Sequence, residues 1–172
     1  VPIAGTFAQA ILGGITVLTG LHPLTVSAHF LVSMAIIAGC VALVTRSRDA
    51  GDRPIVLLVR REVRLLTWGL VTVAGAVVIL GVVVTGSGPH SGDAEAEHRF
   101  GFDPRTVAWL HADVVLFFLG LLIALLLALR LTDAPRRARR AALIVLGVAL
   151  AQGFIGYLQY FTGVPVPLVA LH

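Results

Sequence analysis

The stretch "RTVAWLHADVVLFFLGLLIALLLAL", residues 105–129, is apolar over most of its length. A helix needs about 20 mainly apolar residues to cross a bilayer, so this stretch predicts a transmembrane helix. Four more stretches of this kind lie at residues 3–21, 24–45, 65–86 and 141–162. A further apolar stretch begins near Pro165 and predicts the start of a sixth helix. The sequence therefore predicts an all-α polytopic membrane protein with five full helices and the start of a sixth.

The composition agrees with this class of protein. Hydrophobic residues make up 58% of the chain, against about 45–50% in a typical soluble domain. All 13 basic residues are arginines, and they lie in short segments between the apolar runs rather than in one patch. We therefore expect no nucleic-acid partner, although the chain is basic. The lone cysteine, Cys40, allows no internal disulfide.

The arginines also predict which way the helices point. Residues 46–64 hold six arginines and residues 130–140 hold five, whereas residues 87–105 hold two arginines against four acidic residues. Arginine-rich loops stay in the cytoplasm. We expect a multi-pass protein of the cell membrane in which the segment 87–105 faces outward.

A repeat lies within the predicted helices. The segment 8–29, "AQAILGGITVLTGLHPLTVSAH", aligns without a gap with the segment 151–172, "AQGFIGYLQYFTGVPVPLVALH". Both contain a glutamine, a Thr-Gly pair and a final histidine at the same spacing. We interpret the two segments as copies of one helical hairpin.

The repeat predicts a domain organisation. A hairpin precedes the second copy, whereas none precedes the first, so we expect a parent protein of two pseudosymmetric four-helix units. The chain then lacks the first two helices and most of the last. Residues 1–45 are the second hairpin of the first unit, 46–64 a cytoplasmic linker, and 65–172 the second unit.

Three histidines are the candidate site residues. His29, His111 and His172 each lie a few residues into a helix that runs inward, at a depth of about 7–9 Å. An ionisable ring inside a membrane helix is costly and usually functional, and neutral imidazole is a common ligand of metals and haem iron. The four-helix unit pairs His111 with His172, and leaves His29 to pair with a histidine on a missing helix. The alternative is that each ring satisfies one neighbouring hydrogen bond.

Other polar residues give weaker signals. His22 is expected in solvent, and Gln9 and Gln152 are expected to form interhelical hydrogen bonds. His90 and His98 lie near three carboxylates, but without a standard metal-ligand spacing. Arg99 and Arg105 lie nearby in the sequence. Their guanidinium groups could pair with haem propionates or simply remain solvated.

Five stretches resemble the haem A synthase family, and its actinobacterial members most. They span most of the chain and are "LGGITVLTGLHPLTVSAHFLVSM" (12–34), "VVVTGSGPHSGD" (82–93), "HRFGFD" (98–103), "LHAD" (110–113) and "QYFTGVPVPLVALH" (159–172). The resemblance implies eight membrane helices in two pseudosymmetric halves, which agrees with the repeat.

The resemblance also implies a site and a reaction. His111 and His172 would be the axial iron ligands of a haem b, and His29 a ligand at the site of the substrate, haem O. The family oxidises a methyl group of haem O to a formyl group by successive oxygenations, which supplies haem A to aa3-type cytochrome oxidases. The haem sites would lie near the extracytoplasmic face.

The resemblance leaves gaps as well. A glutamate of the family has no counterpart in this chain, so the catalytic residues stay unassigned, and we expect the printed chain alone not to turn over haem O. Partners implied are haem O synthase, an electron donor and membrane lipid, and a homo-oligomer is left open.

Two alternatives remain beside the synthase. A di-haem electron-transfer protein of the cytochrome b type would present the same histidine pairs. A transporter would also contain repeats, but transporters usually break their helices at mid-membrane, whereas the Pro and Gly residues here lie at the outer ends.

Overall fold

A computed structural model describes residues 2–48, 51, 59–89 and 98–172 of the chain. The described residues form six α-helices and no strand: α1 Pro2–Leu18, α2 Pro23–Ser47, α3 Arg61–Ser87, α4 Pro104–Leu131, α5 Arg136–Phe161 and α6 Val166–Leu171. The predicted all-α fold is confirmed, and each predicted span overlaps one helix. Parts of the linker 46–64, and His90 with the three carboxylates that follow it, lie outside the described residues.

The helices have the dimensions of membrane spans. Helices α2, α3, α4 and α5 contain 25–28 residues and are apolar enough to cross a bilayer. Helix α1 contains 17 residues, the lower end of the range that spans a bilayer. Large apolar side chains such as Leu18, Leu131 and Phe161 are mostly exposed, as a lipid-facing surface requires. The chain is an all-α, polytopic membrane protein.

Contacts group the chain into two compact units. One contains Val1–Ile55 with Ile79–Ala108, and the other contains Val56–Val78 with Trp109–His172. Helices α1 and α2 pack together in the first unit, and α5 and α6 pack together in the second. The division of the sequence at residues 46–64 stays a prediction.

The second unit has a packed apolar core at one end of its helices. On α4 the residues one and two turns apart share one face, and α3 and α5 pack against it. The core residues are Val63, Leu70, Leu122, Leu125, Leu126, Leu129, Ala134 and Ala142. His111 lies on the opposite half of α4. The core therefore packs around the half of α4 that does not carry His111.

The two hairpins turn in the same way. Helices α1 and α5 end at Leu18 and Phe161, and α2 and α6 begin at Pro23 and Val166, so both boundaries keep the offset of 143 residues found in the sequence. After each helix, a glycine and the next residue adopt a positive φ. The N–H of that next residue donates to the carbonyl five residues earlier, from Leu21 to Thr16 and from Val164 to Gln159, which is a Schellman turn.

The Thr-Gly pair at the end of α3 is different. The sequence predicts a left-handed turn at Gly86, because α3 ends in the same two residues as the hairpin helices. Gly86 instead stays inside α3 and is not among the described glycines with positive φ. A Cβ there would lie 2.3 Å from the Phe100 ring. Gly86 is therefore needed for close packing against Phe100, and the expected turn was wrong.

Candidate functional site

The structure brings His111 and His172 together in the second unit. His111 lies in the second turn of α4, and His172 follows the last residue of α6. Their ring centroids are 6.4 Å apart and their ring planes are nearly perpendicular, at 84°. The backbone N–H of His172 donates to the Leu168 carbonyl at 3.0 Å, so the last turn of α6 carries this ring to its partner.

The spacing of the two rings fits a pair of axial ligands. An imidazole nitrogen lies about 2 Å from a bound metal and about 1.1 Å from the centre of its own ring, so two imidazoles on opposite sides of one metal have centroids about 6.2 Å apart. The observed 6.4 Å agrees with that value. Metal and haem ligands on facing helices are a common arrangement in helical bundles.

The hydrogen bonding of His111 is incomplete. Its Nδ1 atom is buried and has no hydrogen-bond partner among the described residues. A buried polar atom without a partner is uncommon and needs an explanation. The Val77 backbone interacts with the His111 ring, so the alternative of a ring satisfied by one neighbouring hydrogen bond still stands, while Nδ1 has no partner in the described part of the chain.

His29 occupies the equivalent place in the first unit. It lies six residues beyond the start of α2, as His172 lies six residues beyond the start of α6. Its Nδ1 is also buried and has no hydrogen-bond partner in the described part of the chain. No second histidine ring packs against His29 among the described residues, so its predicted pairing with a histidine elsewhere stays a prediction.

Each of these hairpin histidines packs against a glycine of the preceding helix. A Cβ built on Gly13 would lie 3.3 Å from His29 Cε1, and one built on Gly156 would lie 2.8 Å from His172 Cε1. The sequence predicts no role for either glycine. The available signal was that both glycines, like the histidines, keep the repeat offset of 143 residues.

A glutamine one turn before each glycine holds the histidine segment. Gln9 Nε2 donates to the His29 carbonyl at 2.9 Å, and Gln152 Nε2 donates to the Leu171 carbonyl at 3.3 Å. The predicted interhelical hydrogen bonds of Gln9 and Gln152 are thus confirmed. In both hairpins, the bond reaches the carbonyl of the histidine or of the residue just before it.

The polar residues near the start of α4 have local partners. Arg99 donates to the Gly88 carbonyl. Asp103 accepts hydrogen bonds from the Thr106 backbone N–H at 2.8 Å and from the Thr106 hydroxyl at 2.7 Å. Both hydrogen bonds lower the pKa of Asp103 below its ordinary 3.8, and the bond from the Thr106 hydroxyl contributes more than the bond from the backbone N–H. Asp103 therefore caps the first turn of α4, the helix that carries His111.

His22 and His98 form a second histidine pair, in the first unit. His22 Nδ1 accepts the Leu24 backbone N–H at 3.3 Å and so caps α2. Its ring centroid lies 5.1 Å from that of His98. His22 thus caps α2 from the turn before it through an exposed hydrogen bond, and its predicted exposure to solvent stays a prediction. The described residues contain no group of three or more side chains able to hold a metal.

Comparison with known proteins adds no relative. No family model, no curated protein and no solved structure matches the chain.

Proposed function

We propose that the protein is a haem A synthase of the cell membrane. The observation that supports this most is the spacing of the His111 and His172 rings, 6.4 Å between centroids, which suits two ligands on opposite sides of one iron. The resemblance in sequence and the equivalent place of His29 in the first hairpin add further support.

In this proposal, His111 and His172 would hold a haem b through their imidazole rings, whose centroids lie 6.4 Å apart. A bound haem b supplies one-electron transfer, which is the chemistry that side chains lack. The packed core of the second unit fixes α4 and thereby the position of His111. The capped first turn of α4, at Asp103, keeps the helix start formed close to that ring.

His29 is proposed as a ligand at the haem O site. Conversion of the methyl group of haem O to a formyl group removes four electrons from the carbon. Two oxygenations achieve this, each placing one atom of O2 on the carbon, while a donor supplies two electrons and two protons to turn the other atom into water. Loss of one water from the resulting carbon with two hydroxyls gives the formyl group. The reaction therefore needs an electron donor as a partner.

Cells that make haem O but lack their own synthase provide the test of this function. The complete gene that encodes the chain is expressed in such cells, and the extracted haems are identified by chromatography and mass spectrometry. We expect haem A in these cells, and we expect His29→Ala to abolish haem A while leaving the b-type spectrum of the second unit in place.

The competing function predicts a different product. The same histidine pair would serve a di-haem electron-transfer protein, which makes no haem A. A b-type spectrum from the purified protein, without haem A in cells that contain haem O, would overturn the synthase proposal in favour of that alternative.

A further inference from the structure

We propose that a glutamine and a glycine four residues later, Gln9 with Gly13 and Gln152 with Gly156, position the ligand histidine of each hairpin. This inference rests on the proposed haem function. It assigns a role to two residues per hairpin, which we call the Gln-Gly clamp. Residues four apart lie on one face of a helix, so both members of a clamp face the same neighbouring helix.

The glycine of the clamp sets how closely the ring approaches. At Gly156 a Cβ would lie 2.8 Å from His172 Cε1 and 3.3 Å from Nε2. At Gly13 the corresponding distance to His29 Cε1 is 3.3 Å. A Cβ at Gly156 would therefore require the His172 ring to shift, whereas a Cβ at Gly13 would require the His29 ring to move by only a few tenths of an ångström. Gly14 and Gly153, in the same two helices, have no such neighbour within 4 Å.

The glutamine of the clamp fixes the backbone that carries the ring. Gln152 ties the Leu171 carbonyl, next to His172, to α5. Gln9 ties the His29 carbonyl to α1, and the Ser33 hydroxyl donates to the same carbonyl at 2.8 Å. Backbone and ring are thus held from one helix at two points one turn apart. A histidine held in this way has little freedom to rotate its ring.

The amide oxygens of the clamp glutamines are unbonded among the described residues, a feature that Gln159 shares, so the clamp is distinguished by the bonds that its amide nitrogens donate. Gln9 Oε1 and Gln152 Oε1 are buried and have no hydrogen-bond partner in the part of the chain that the structure describes. Outer groups that orient a ligand histidine typically change metal affinity by about 10–100-fold when they are removed.

The test compares clamp variants with matched controls in the whole chain purified in detergent. Clamp variants are Gln152→Leu and Gly156→Ala. The controls are Gln159→Leu, which removes a buried α5 glutamine whose Oε1 has no described partner, and Gly153→Ala, which adds a methyl group in open space. Haem is added by titration, and affinity, the low-spin electron paramagnetic resonance signal and the midpoint potential are measured.

We expect the clamp variants to bind haem about tenfold or more weakly, with altered resonance positions and a shifted potential, while both controls match the unmodified chain. The clamp would be overturned if the chain binds haem through His172 and the clamp variants match the controls in all three properties. That result would leave the proposed function intact.

A second measurement needs no haem. Nuclear magnetic resonance of chains with 13C-labelled histidine reports the surroundings of the His172 ring, with His172→Ala to assign its signal. We expect Gly156→Ala to move this signal and Gly153→Ala to leave it. If the unmodified chain binds no haem, the proposed function fails, and this signal still decides the clamp: an unmoved signal in Gly156→Ala contradicts it.

Discussion

At the scale of the residue, the histidines differ in whether Nδ1 already has a hydrogen-bond partner. His29 and His111 share two features: the ring lies inside a membrane helix, and its Nδ1 is buried without a partner in the described structure. His22 differs, because its Nδ1 accepts a backbone N–H at the start of α2. A neutral imidazole has one nitrogen to accept with, so His22 has already used the atom that a metal would need.

The carbonyl of His29 allows a prediction at this scale. It accepts hydrogen bonds from both Gln9 and Ser33. Gln9 Nε2 also donates to the Ser33 hydroxyl. Each single change removes this bond and the double change removes it only once, so we expect Gln9→Leu and Ser33→Ala together to cost less than the sum of the two single changes. Side-chain hydrogen bonds in membrane proteins average about 0.6 kcal/mol, and a coupling of about that size is expected from a double-mutant cycle of unfolding in detergent.

Thr45→Ala is the matched control for this cycle. The Thr45 hydroxyl donates to the Val41 carbonyl within α2 at 2.8 Å, as the Ser33 hydroxyl does to His29, but Thr45 has no described link to α1. Combined with Gln9→Leu, the Thr45 change should be additive. Additivity of the Ser33 pair as well would contradict an energetic link between the Gln9 and Ser33 side chains.

The sequence predicted some of these residues and missed others for a physical reason. His111 and His172 were paired from their matched depth, because ionisable rings are rare in membrane helices and therefore informative. Gly13 and Gly156 received no role, because glycine is common in membrane helices and its identity says nothing about which ring approaches it. Only the three-dimensional arrangement separates Gly156 from Gly153.

At the scale of the element, the repeated unit is the helical hairpin with its turn. The Thr19 hydroxyl bonds the Ile15 carbonyl at 2.9 Å and the Thr162 hydroxyl bonds the Leu158 carbonyl at 2.7 Å. Gly20 and Gly163 follow with φ of 63° and 79°. A left-handed backbone is costly for residues with a Cβ, which explains why both turns use glycine at this point.

Replacement of the turn glycine is predicted to destabilise the hairpin. Gly163→Ala forces a Cβ into the left-handed region, at a cost of about 1–2 kcal/mol. Gly147→Ala, within α5 and with no neighbour within 4 Å, should instead be neutral or stabilising, because alanine favours a helix by about 1 kcal/mol over glycine. Unfolding in a denaturing detergent measures both, and equal effects would contradict the role of the turn.

The bounds of the helices show how much the pattern of apolar residues predicts about each element. Apolar run length placed every helix, because membrane spans must bury their backbone polar groups in helical hydrogen bonds. The left-handed turn predicted at Gly86 was wrong, because its Thr-Gly pair is the same as that of the hairpin turns. The residue that packs against Gly86 is Phe100, a loop residue that no periodic pattern locates. Loop contacts of this kind follow from tertiary packing alone.

At the scale of the whole molecule, the length of the apolar runs and the distribution of the arginines are enough to predict a multi-pass α-helical protein. The compact units could not be predicted in the same way, because α3 and α4 each contribute to both units, and hydropathy carries no signal for which half of a helix packs where. The apolar core and the histidine pair at opposite halves of α4 likewise follow from packing.

The most direct measurement is the dithionite-reduced minus oxidised visible spectrum of the chain in detergent, with His111→Ala, His172→Ala and the control His98→Ala. We predict a low-spin b-type signal that either of the first two changes abolishes and that His98→Ala retains. A low-spin signal that survives both His111→Ala and His172→Ala, or no signal from the unmodified chain after haem addition, would contradict a haem held between these two rings.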